Sequence, residues 1–239
     1  MFAETAHQPR NHQIRRLVAT NRIAGAGALV FAAVVVVQNA IRASAPAFGS
    51  SATAVTDYFA HHRVAALVPL ALFPLGLVAI LSFAAGIRSR AHDAAAQWCA
   101  DVGSMAVVGV AALFAVVNLV EITIAADGSD LASAPRVVGA LWTLHGAAFA
   151  LNLAAIAVAL LGLSRAALAV GLIPSWLAVL SLPAAACLFC GAIGNVAIAE
   201  GSRWLYVAFP GFAVWAIFLL AAGAALIRTR TDLRIEALS

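Results

Sequence analysis

The chain has 239 residues, of which 64% are hydrophobic and 10% are charged, and its mean hydropathy of +1.00 lies outside the range of soluble globular proteins. Its net charge of +4 comes from 14 basic residues, all arginines. Because these arginines stand at the ends of apolar runs and form no stripe interleaved with aromatic residues, nucleic-acid binding is excluded. Without a lysine, a retinal Schiff base is excluded as well. We therefore predict an all-α polytopic membrane protein.

The first membrane span is predicted at residues 22–41, after a polar and basic arm formed by residues 1–21. Roughly 20 residues at about 1.5 Å each match the 30 Å hydrocarbon core. Residues 24–28, all alanine or glycine, offer a smooth surface for close helix packing. The Ala-Ser-Ala triplet at 43–45 is similar to a signal-peptidase site, but the apolar run is too long for a signal peptide and Pro46 would follow the cut. We expect the span to be retained.

A loop of small and polar residues is predicted at 42–62, between the first two spans. Thr56 or Asp57 is expected to cap a short helix at the membrane interface, because either side chain can accept a hydrogen bond from a free backbone N–H. A second polar loop is expected at 88–101. The other five spans are predicted at residues 63–87, 102–126, 137–163, 175–199 and 204–227.

Six spans place both termini on one side of the membrane, and the arginines indicate which side. Ten arginines lie on the side of the termini: Arg10, Arg15, Arg16, Arg22, Arg88, Arg90, Arg165, Arg228, Arg230 and Arg234. Four lie on the opposite side: Arg42, Arg63, Arg136 and Arg203. Because basic residues are concentrated in cytoplasmic segments, we predict a multi-pass plasma-membrane protein. It would consist of a cytoplasmic arm (1–21), a six-helix transmembrane domain (22–227) and a cytoplasmic tail (228–239).

Polar residues are concentrated in the outer half of the predicted bundle. At 1.5 Å per residue, Glu121 lies about 7 Å and Asn118 about 12 Å below the outer end of the third span. By the same arithmetic His145 lies about 12 Å below the outer end of the fourth span, and Gln38 and Asn195 about 6 Å below the ends of the first and fifth. The inner half is almost purely apolar, so the functional groups are expected in the outer half.

Helical spacing places these polar residues beside aromatic ones on two facing helices. The shared face of the third span carries Phe114, Asn118 and Glu121, and that of the fourth carries Trp142, His145, Phe149 and Asn152. We expect the two faces to enclose a cavity with polar groups near its mouth and aromatic rings along its wall. Gln38 and Asn195 would reach it from neighbouring spans.

The carboxyl group of Glu121 is the most informative of these groups. A carboxylate in hydrocarbon costs several kcal/mol unless it is paired or protonated, so Glu121 should face the bundle interior. With His145 or Arg42 close by, it is a candidate for proton transfer. The structural alternative is that Asn118, Glu121 and His145 only tie the third and fourth spans together, with each hydrogen bond worth about 1 kcal/mol.

Metal and redox interpretations have weaker support. A haem between helices needs two histidines at similar depth, and His145 has no such partner, because the histidines at 61–62 lie at the outer boundary. The histidines at 61–62 and Glu200 do not have the sequence spacing of a zinc site. Cys187 and Cys190 form a CxxC without the second, loop-borne pair that membrane thiol oxidoreductases use, so they are interpreted as small apolar fillers. We predict no metal and no cofactor.

In its size, its six spans and its Trp142-Thr143-Leu144-His145 run, the chain resembles uncharacterised bacterial six-helix membrane proteins of a domain of unknown function. As a small all-helical membrane protein with one buried acid beside aromatic residues, it is also similar, in class alone, to integral-membrane terpene cyclases and sterol isomerases. That similarity implies an intramembrane acid that protonates an olefin or epoxide, and aromatic faces that stabilise the resulting cation.

The leading hypothesis from the sequence is an enzyme of the cyclase or isomerase type, acting on a lipophilic, isoprenoid-like substrate that enters from the bilayer. Glu121 would be the proton donor, with His145 and Asn118 as the other catalytic residues. Glu121→Gln would then abolish turnover and leave stability nearly unchanged. The predicted substrate-binding residues are Trp142, Phe149, Phe114, Asn152, Asn195 and Gln38.

Two other classes of function stay open. One is a non-catalytic binding, sensing or transport protein with an outward-facing cavity, and the other is an accessory subunit of a larger complex. In each case the expected partners are membrane lipids and a lipophilic small molecule, with no nucleic acid. The apolar surface is also compatible with a homo-oligomer.

Overall fold

The computed structural model describes residues 8–236, with side chains described outside 8–18, 65, 128–129 and 229–236. Within residues 8–236 all regular structure is helical. Six helices in that range are long and apolar enough to cross a membrane, at Ala19–Arg42, Ala66–Arg88, Ala94–Ala126, Pro135–Ala169, Ser175–Ile193 and Arg203–Arg228. The predicted all-α, six-span class is confirmed. Residues 1–7 of the predicted arm and 237–239 of the predicted tail lie outside the described residues.

The helices in chain order are α1 (Gln8–Arg42), α2 (Ala52–His61), α3 (Arg63–Arg88), α4 (Ala94–Ala126), α5 (Gly128–Leu131), α6 (Pro135–Ala169), α7 (Ser175–Ile193), α8 (Asn195–Ala199) and α9 (Phe209–Glu236). A 3-10 segment, Arg203–Ala208, precedes α9. We call the end of the bundle with the start of α1 and the finish of α9 the terminal end. The opposite end, with the loop at 43–51 and the connections at 127–134 and 194–202 that contain α5 and α8, is the site end.

Small residues pack the helices backbone to backbone in the terminal half. A Cβ atom added to Gly162 of α6 would lie 2.6 Å from Gly103 N of α4, and one added to Gly25 of α1 would lie 2.7 Å from Gly223 O of α9. Both crossings therefore require glycine. α6 is the central helix, because 61% of its most apolar stretch is buried, against 39–44% for the other five spans.

The start of α2 differs from the prediction. Ser51 caps the helix, and its hydroxyl accepts a hydrogen bond from Ala54 N at 3.3 Å. Thr56 and Asp57, the residues predicted to cap it, lie inside the helix. The Thr56 hydroxyl donates to Ala52 O at 3.1 Å. The choice of cap was wrong because serine serves as well as threonine or aspartate, and Ser51 stands five residues before Thr56.

The predicted polar loop at 88–101 is also shorter than expected. Asp93 caps α4 by accepting a hydrogen bond from Ala96 N at 2.8 Å. The three alanines that follow Asp93 are the strongest helix formers, so the helix begins at Ala94. Only residues 89–93 form the loop, and Gln97 and Asp101 lie on the first turns of α4, so polarity alone is a poor sign of where the loop ends.

The fifth span, predicted as one helix at 175–199, is interrupted. α7 ends at Ile193, Gly194 separates the two segments, and α8 begins at Asn195. The indole of Trp204 occupies the space that a side chain at Gly194 would need, and its Nε1 donates to Cys190 O at 2.7 Å. Close packing of this indole therefore requires the glycine at the interruption.

Candidate functional site

The candidate site lies on α4 and α6, which run antiparallel. Gly103 faces Gly162 at the terminal end of the pair. Counting 18 residues along α4 from Gly103 leads to Glu121, and counting 17 back along α6 from Gly162 leads to His145. The two counts differ by one residue, so the two rises differ by only about 1.5 Å. The glycine contact therefore sets the register that brings the predicted acid and the predicted imidazole to the same level.

Glu121 lies at the centre of a buried polar cluster. Its Oε1 and Oε2 atoms accept hydrogen bonds from Arg42 Nε at 3.0 Å and from Arg42 Nη2 at 2.8 Å, and Oε1 lies 3.0 Å from His145 Nε2. Arg42 Nη2 also donates to Asn118 Oδ1 at 3.0 Å. We call these four residues, Arg42, Asn118, Glu121 and His145, the Arg42 cluster.

The Arg42 cluster is almost entirely removed from the surface. Glu121 and His145 are each 5% exposed, and the Arg42 side chain is 17% exposed. An isolated charge at this depth costs several kcal/mol, whereas the bidentate guanidinium–carboxylate pair cancels both charges. Asn118 is held by its own helix, because its Nδ2 donates to Phe114 O at 2.8 Å. The cluster therefore ties α1 to α4 and α6. The sequence had led us to expect only a tie between the third and fourth spans, which are α4 and α6.

The hydrogen bonds of Glu121 assign the tautomer of His145. Both carboxyl oxygens receive N–H groups from Arg42, the arrangement of a carboxylate paired with a guanidinium. A carboxylate only accepts hydrogen bonds, so His145 Nε2 is the donor to Oε1. In a neutral imidazole the other nitrogen, Nδ1, is then an acceptor. The hydrogen bond from Nε2 to Glu121 therefore fixes both the tautomer and the orientation of the His145 ring.

Two aromatic rings pack against this imidazole. Trp142 stacks on it with ring centroids 4.4 Å apart and an interplanar angle of 5°, and Phe48 lies tilted with its centroid at 5.6 Å. Trp142 Nε1 donates to Ala47 O at 3.1 Å, while Phe48 also contacts Phe149 at 5.4 Å. The α1–α2 loop, through Ala47 and Phe48, therefore takes part in positioning the His145 ring.

Two glycines fix the loop that carries Phe48. Gly49 has φ 76° and Gly201 has φ 91°, a left-handed conformation that glycine adopts without a steric penalty. A Cβ atom on Gly49 would lie 2.5 Å from Glu200 O, and one on Gly201 would lie 2.5 Å from Phe48 O. The α1–α2 loop and the turn after α8 therefore close against each other beside the Arg42 cluster.

A cavity of about 620 Å³ lies between the Arg42 cluster and these two loops. We call it the mouth cavity. Its volume falls in the range of about 300–1,000 Å³ that is usual for small-molecule sites. Arg42, Glu121 and His145 line it, together with six aromatic side chains, Phe48, Phe114, Trp142, Phe149, Tyr206 and Phe209. The arrangement is a polar patch inside an aromatic wall, as the sequence led us to expect.

A narrow apolar cavity of about 70 Å³, the inner cavity, lies next to it. Phe114 and Phe149 line both cavities and so form the wall between them. Gln38 and Asn152 also line the inner cavity. Gln38 Nε2 donates to Pro69 O of α3 at 2.6 Å, so this side-chain amide already has a hydrogen-bond partner within the protein.

Three polar atoms of this region are buried without a hydrogen-bond partner in the described part of the chain: Arg42 Nη1, His145 Nδ1 and Asn152 Oδ1. Buried polar atoms are nearly always hydrogen-bonded, so each needs an explanation. The first two belong to side chains that line the mouth cavity, and the third to a side chain that lines the inner cavity. The atoms have almost no accessible surface, so a ligand in these cavities would pair with them through a small rotation of the side chains that carry them.

The mouth cavity continues into a groove of about 410 Å³ between α1 and α9, which we call the lateral groove. Asn39, Phe149 and Phe209 line both hollows. The two helices touch at Gly25 and Gly223 in the terminal half, and the groove lies nearer the site end. Its edge residue Val36 is 63% exposed and Phe209 is 51% exposed. The groove therefore opens on the apolar outer surface of the spans.

The structure brings together most of the predicted site residues, but not Asn195. This side chain is half-buried at the start of α8, donates to Ala192 O at 3.0 Å, and lines none of the three hollows described above. Its depth was deduced by extending the helical spacing of the fifth span through Gly194. The interruption at that glycine changes the direction of the following side chains, so the spacing no longer applies.

Sequence reasoning missed other residues of the site. Arg42 was considered only as a neighbour that would keep Glu121 ionised, and Phe48, Tyr206 and Phe209 were not considered. A signal for Phe48 exists, since it is the one large apolar residue among the small and polar residues at 43–51. An aromatic residue kept in such a loop indicates that the loop packs against something.

The remaining sequence hypotheses concern metal and thiol chemistry. In the described part of the chain, no three His, Cys, Asp or Glu side chains lie close enough together to hold a metal ion. Cys99, Cys187 and Cys190 are free thiols. His61 Nδ1 instead lies 2.7 Å from Asp57 O of its own helix.

Comparison with protein-family models, curated proteins and solved structures finds no match to this chain. The resemblance to six-helix proteins of a domain of unknown function, and the class likeness to terpene cyclases and sterol isomerases, stay predictions.

Proposed function

We propose that the protein binds a lipophilic small molecule with a hydroxyl head group, taken up from the bilayer. The observation that carries this proposal is the mouth cavity, an aromatic space of about 620 Å³ with unpartnered polar atoms of Arg42 and His145 on its lining side chains. Sites of this kind, apolar with a few convergent polar groups, are the usual form of small-molecule sites.

The electrostatics of the Arg42 cluster favour a neutral head group. Arg42 and Glu121 cancel each other's charge, so the cluster with a neutral imidazole has no surplus charge to attract an ion. Arg203 also lines the mouth cavity, but it is exposed, so water and salt screen its charge. The free atoms are a donor, Arg42 Nη1, and an acceptor, His145 Nδ1. A hydroxyl group both donates and accepts, so an alcohol can pair with either atom.

The hollows around the Arg42 cluster are evidence that the ligand has an apolar body. Phe114 and Phe149 separate the mouth cavity from the inner cavity, and the lateral groove leads from the mouth cavity to the lipid-facing surface between α1 and α9. None of these three hollows is lined by the glycines that pack the terminal half, Gly25, Gly103, Gly162 and Gly223. Binding from the bilayer therefore has more support than transport across it.

The test is the binding of radiolabelled farnesol, and of the matching hydrocarbon without the hydroxyl, to purified protein in lipid nanodiscs. Wild type should prefer the alcohol. His145→Phe keeps an aromatic ring beside Trp142 and keeps the Arg42–Glu121 pair, but removes Nδ1. A lost hydrogen bond of about 1.4 kcal/mol corresponds to roughly tenfold weaker binding of the alcohol.

The matched control is Asn195→Ala, which changes a polar side chain outside the hollows and should bind farnesol as wild type does. The hydrocarbon should bind equally to all three proteins. Equal binding of alcohol and hydrocarbon to wild type would contradict the proposal, as would an undiminished preference in His145→Phe.

A second candidate function, the cyclase or isomerase of the sequence analysis, is favoured by one specific observation. The Glu121–His145 contact at 3.0 Å leaves the second ring nitrogen unpartnered, which is the arrangement of a carboxylate that orients an imidazole for proton transfer. In this version His145 carries a proton on both ring nitrogens, gives the Nδ1 proton to the substrate and regains one when the substrate cation is deprotonated. Glu121 stays paired with Arg42, since both carboxyl oxygens already accept hydrogen bonds from Arg42. Gas chromatography of the bound alcohol after incubation separates the two candidates, because it resolves isomers of equal mass: conversion supports the enzyme, and unchanged ligand supports binding alone.

We also propose that the termini are cytoplasmic and that the mouth cavity faces the outside of the plasma membrane. The support is the excess of arginines at the terminal end, ten against four, by the positive-inside rule. A fluorescent protein fused after Ser239 should fold and fluoresce, and an alkaline phosphatase fused at the same place should be inactive. The reverse pattern would contradict this orientation.

A further inference from the structure

A second large hollow lies at the terminal end, on the opposite side of the membrane from the Arg42 cluster. It is a groove of about 850 Å³ between α9, the α6–α7 turn and the segment after α3, and we call it the terminal groove. It shares no lining residue with the mouth cavity, the inner cavity or the lateral groove. The proposed function does not use it.

Two arginines form the polar part of the terminal groove. Arg90 follows the second span and Arg228 ends the sixth, so both lie at the level where hydrocarbon gives way to lipid head groups. The Arg90 guanidinium is partly buried, and its Nη1 atom has no hydrogen-bond partner in the described part of the chain. Arg88, two residues earlier, pairs with Asp101. Arg88 therefore has an acidic partner, whereas the buried Nη1 of Arg90 has no acceptor among the described residues.

Burial lowers the pKa of Arg90 from its ordinary value, because desolvation disfavours the charged form. A guanidinium nevertheless stays protonated in proteins. An anion in the groove would offset the desolvation of the guanidinium, because Arg90 lines the groove. A zwitterionic head group would offer the same phosphate, but would also bring its ammonium close to two arginines.

The rest of the groove is an apolar wall on α9. Ile217 and Leu220 line it and are 43% and 49% exposed. From Arg228 back to Ile217 the helix rises by about 16 Å, which is about half of the 30 Å hydrocarbon core. The wall therefore has the length of one leaflet, with the two arginines at its head-group end.

We infer that the terminal groove binds an anionic phospholipid, with its phosphate at Arg90 and Arg228 and an acyl chain along Ile217 and Leu220. The abundance of arginines at this end fits the leaflet in which anionic lipids are recognised by basic side chains next to the spans. Free phosphate would match the arginines but leave the apolar wall uncovered.

The test is native mass spectrometry of the full chain, released from nanodiscs that contain equal amounts of phosphatidylglycerol and phosphatidylcholine with identical acyl chains. Wild type should retain phosphatidylglycerol preferentially. Arg90→Gln and Arg228→Gln should each reduce that preference by about fivefold, the usual effect of one arginine at an anionic surface. Arg90→Lys keeps the charge and should keep part of the preference.

Arg165→Gln is the matched control, because Arg165 lies at the same end, is partly buried, and does not line the groove. It should retain the lipid as wild type does. A loss in Arg165→Gln equal to that in Arg90→Gln would overturn the inference in favour of a general surface charge effect, as would equal retention of the two lipids by wild type. Inorganic phosphate that displaces the lipid at millimolar concentration would overturn it in favour of a free-anion site. Arg228 is exposed, so its variant decides the matter even if Arg90→Gln fails to fold.

Discussion

The two halves of the bundle are built on different principles. In the terminal half, glycines let helices touch through their backbones, as at Gly103 with Gly162 and Gly25 with Gly223. In the site half, large side chains hold the helices apart, the Arg42 cluster bridges α1, α4 and α6, and the mouth cavity lies beside this bridge. Close packing at one end and a hollow at the other therefore coexist along single continuous helices.

The difference teaches where this fold gets its rigidity and where it has room for function. Backbone contact in the terminal half leaves few alternative arrangements, because each shift would bring main-chain atoms into collision. The site half depends instead on one ion pair and its aromatic neighbours. Substitutions in the terminal half should therefore change only the stability of the fold. In the site half, one substitution can change stability while another changes ligand binding.

The largest effect is expected at the ion pair. Glu121→Gln would leave the Arg42 guanidinium buried beside a neutral amide, and removing one partner of a buried pair costs about 3 kcal/mol or more. This reverses the expectation from sequence that the substitution leaves stability nearly unchanged. Unfolding in mixed micelles, followed by circular dichroism, gives the free energy of unfolding.

The double variant Arg42→Met with Glu121→Gln tests the reason for that loss. Because it removes both charges, it should be more stable than Glu121→Gln alone, and the double-mutant cycle should give a coupling of about 1–3 kcal/mol. A Glu121→Gln protein as stable as wild type would show that the pair contributes nothing to the site half.

A smaller effect is expected in the terminal half from Gly162→Ala. The added Cβ atom would lie 2.6 Å from Gly103 N and 2.7 Å from Cys99 O, and relieving such overlap costs about 1–3 kcal/mol. Thermal unfolding in detergent measures the loss. Gly139→Ala on the same helix is the control, because its Cβ would meet nothing within 4 Å, and it should be neutral or slightly stabilising. Equal effects at the two glycines would refute the backbone-contact account.

The smallest effect is expected from Trp142→Phe. The variant keeps a ring against His145 but loses the hydrogen bond from Nε1 to Ala47 O, which should cost about 1 kcal/mol. Trp176→Phe is a suitable comparison, since Trp176 is 59% exposed and should change stability little. Hydrogen exchange of residues 43–51 should increase only in Trp142→Phe if this bond holds the loop.

Particular residues show how far the sequence could lead. Glu121, His145, Phe114 and Phe149 were predicted to line one cavity from their depth and helical spacing, and they do so. That reasoning works within an uninterrupted helix, where position determines direction. It failed at Asn195, because Gly194 interrupts the helix, and at Phe48, because helical spacing does not apply to a loop.

Composition and the lengths of the apolar runs determined that this protein is a bundle of six membrane spans, since no other structure satisfies the backbone of such segments in hydrocarbon. Helix periodicity determined which residues share a face. Only the tertiary structure decided that Arg42 reaches across from α1 to Glu121, that the imidazole of His145 lines the mouth cavity, and that a groove joins this cavity to the apolar outer surface of the spans. These outcomes depend on the register and tilt of one helix against another, which are set by contacts between residues far apart in the chain.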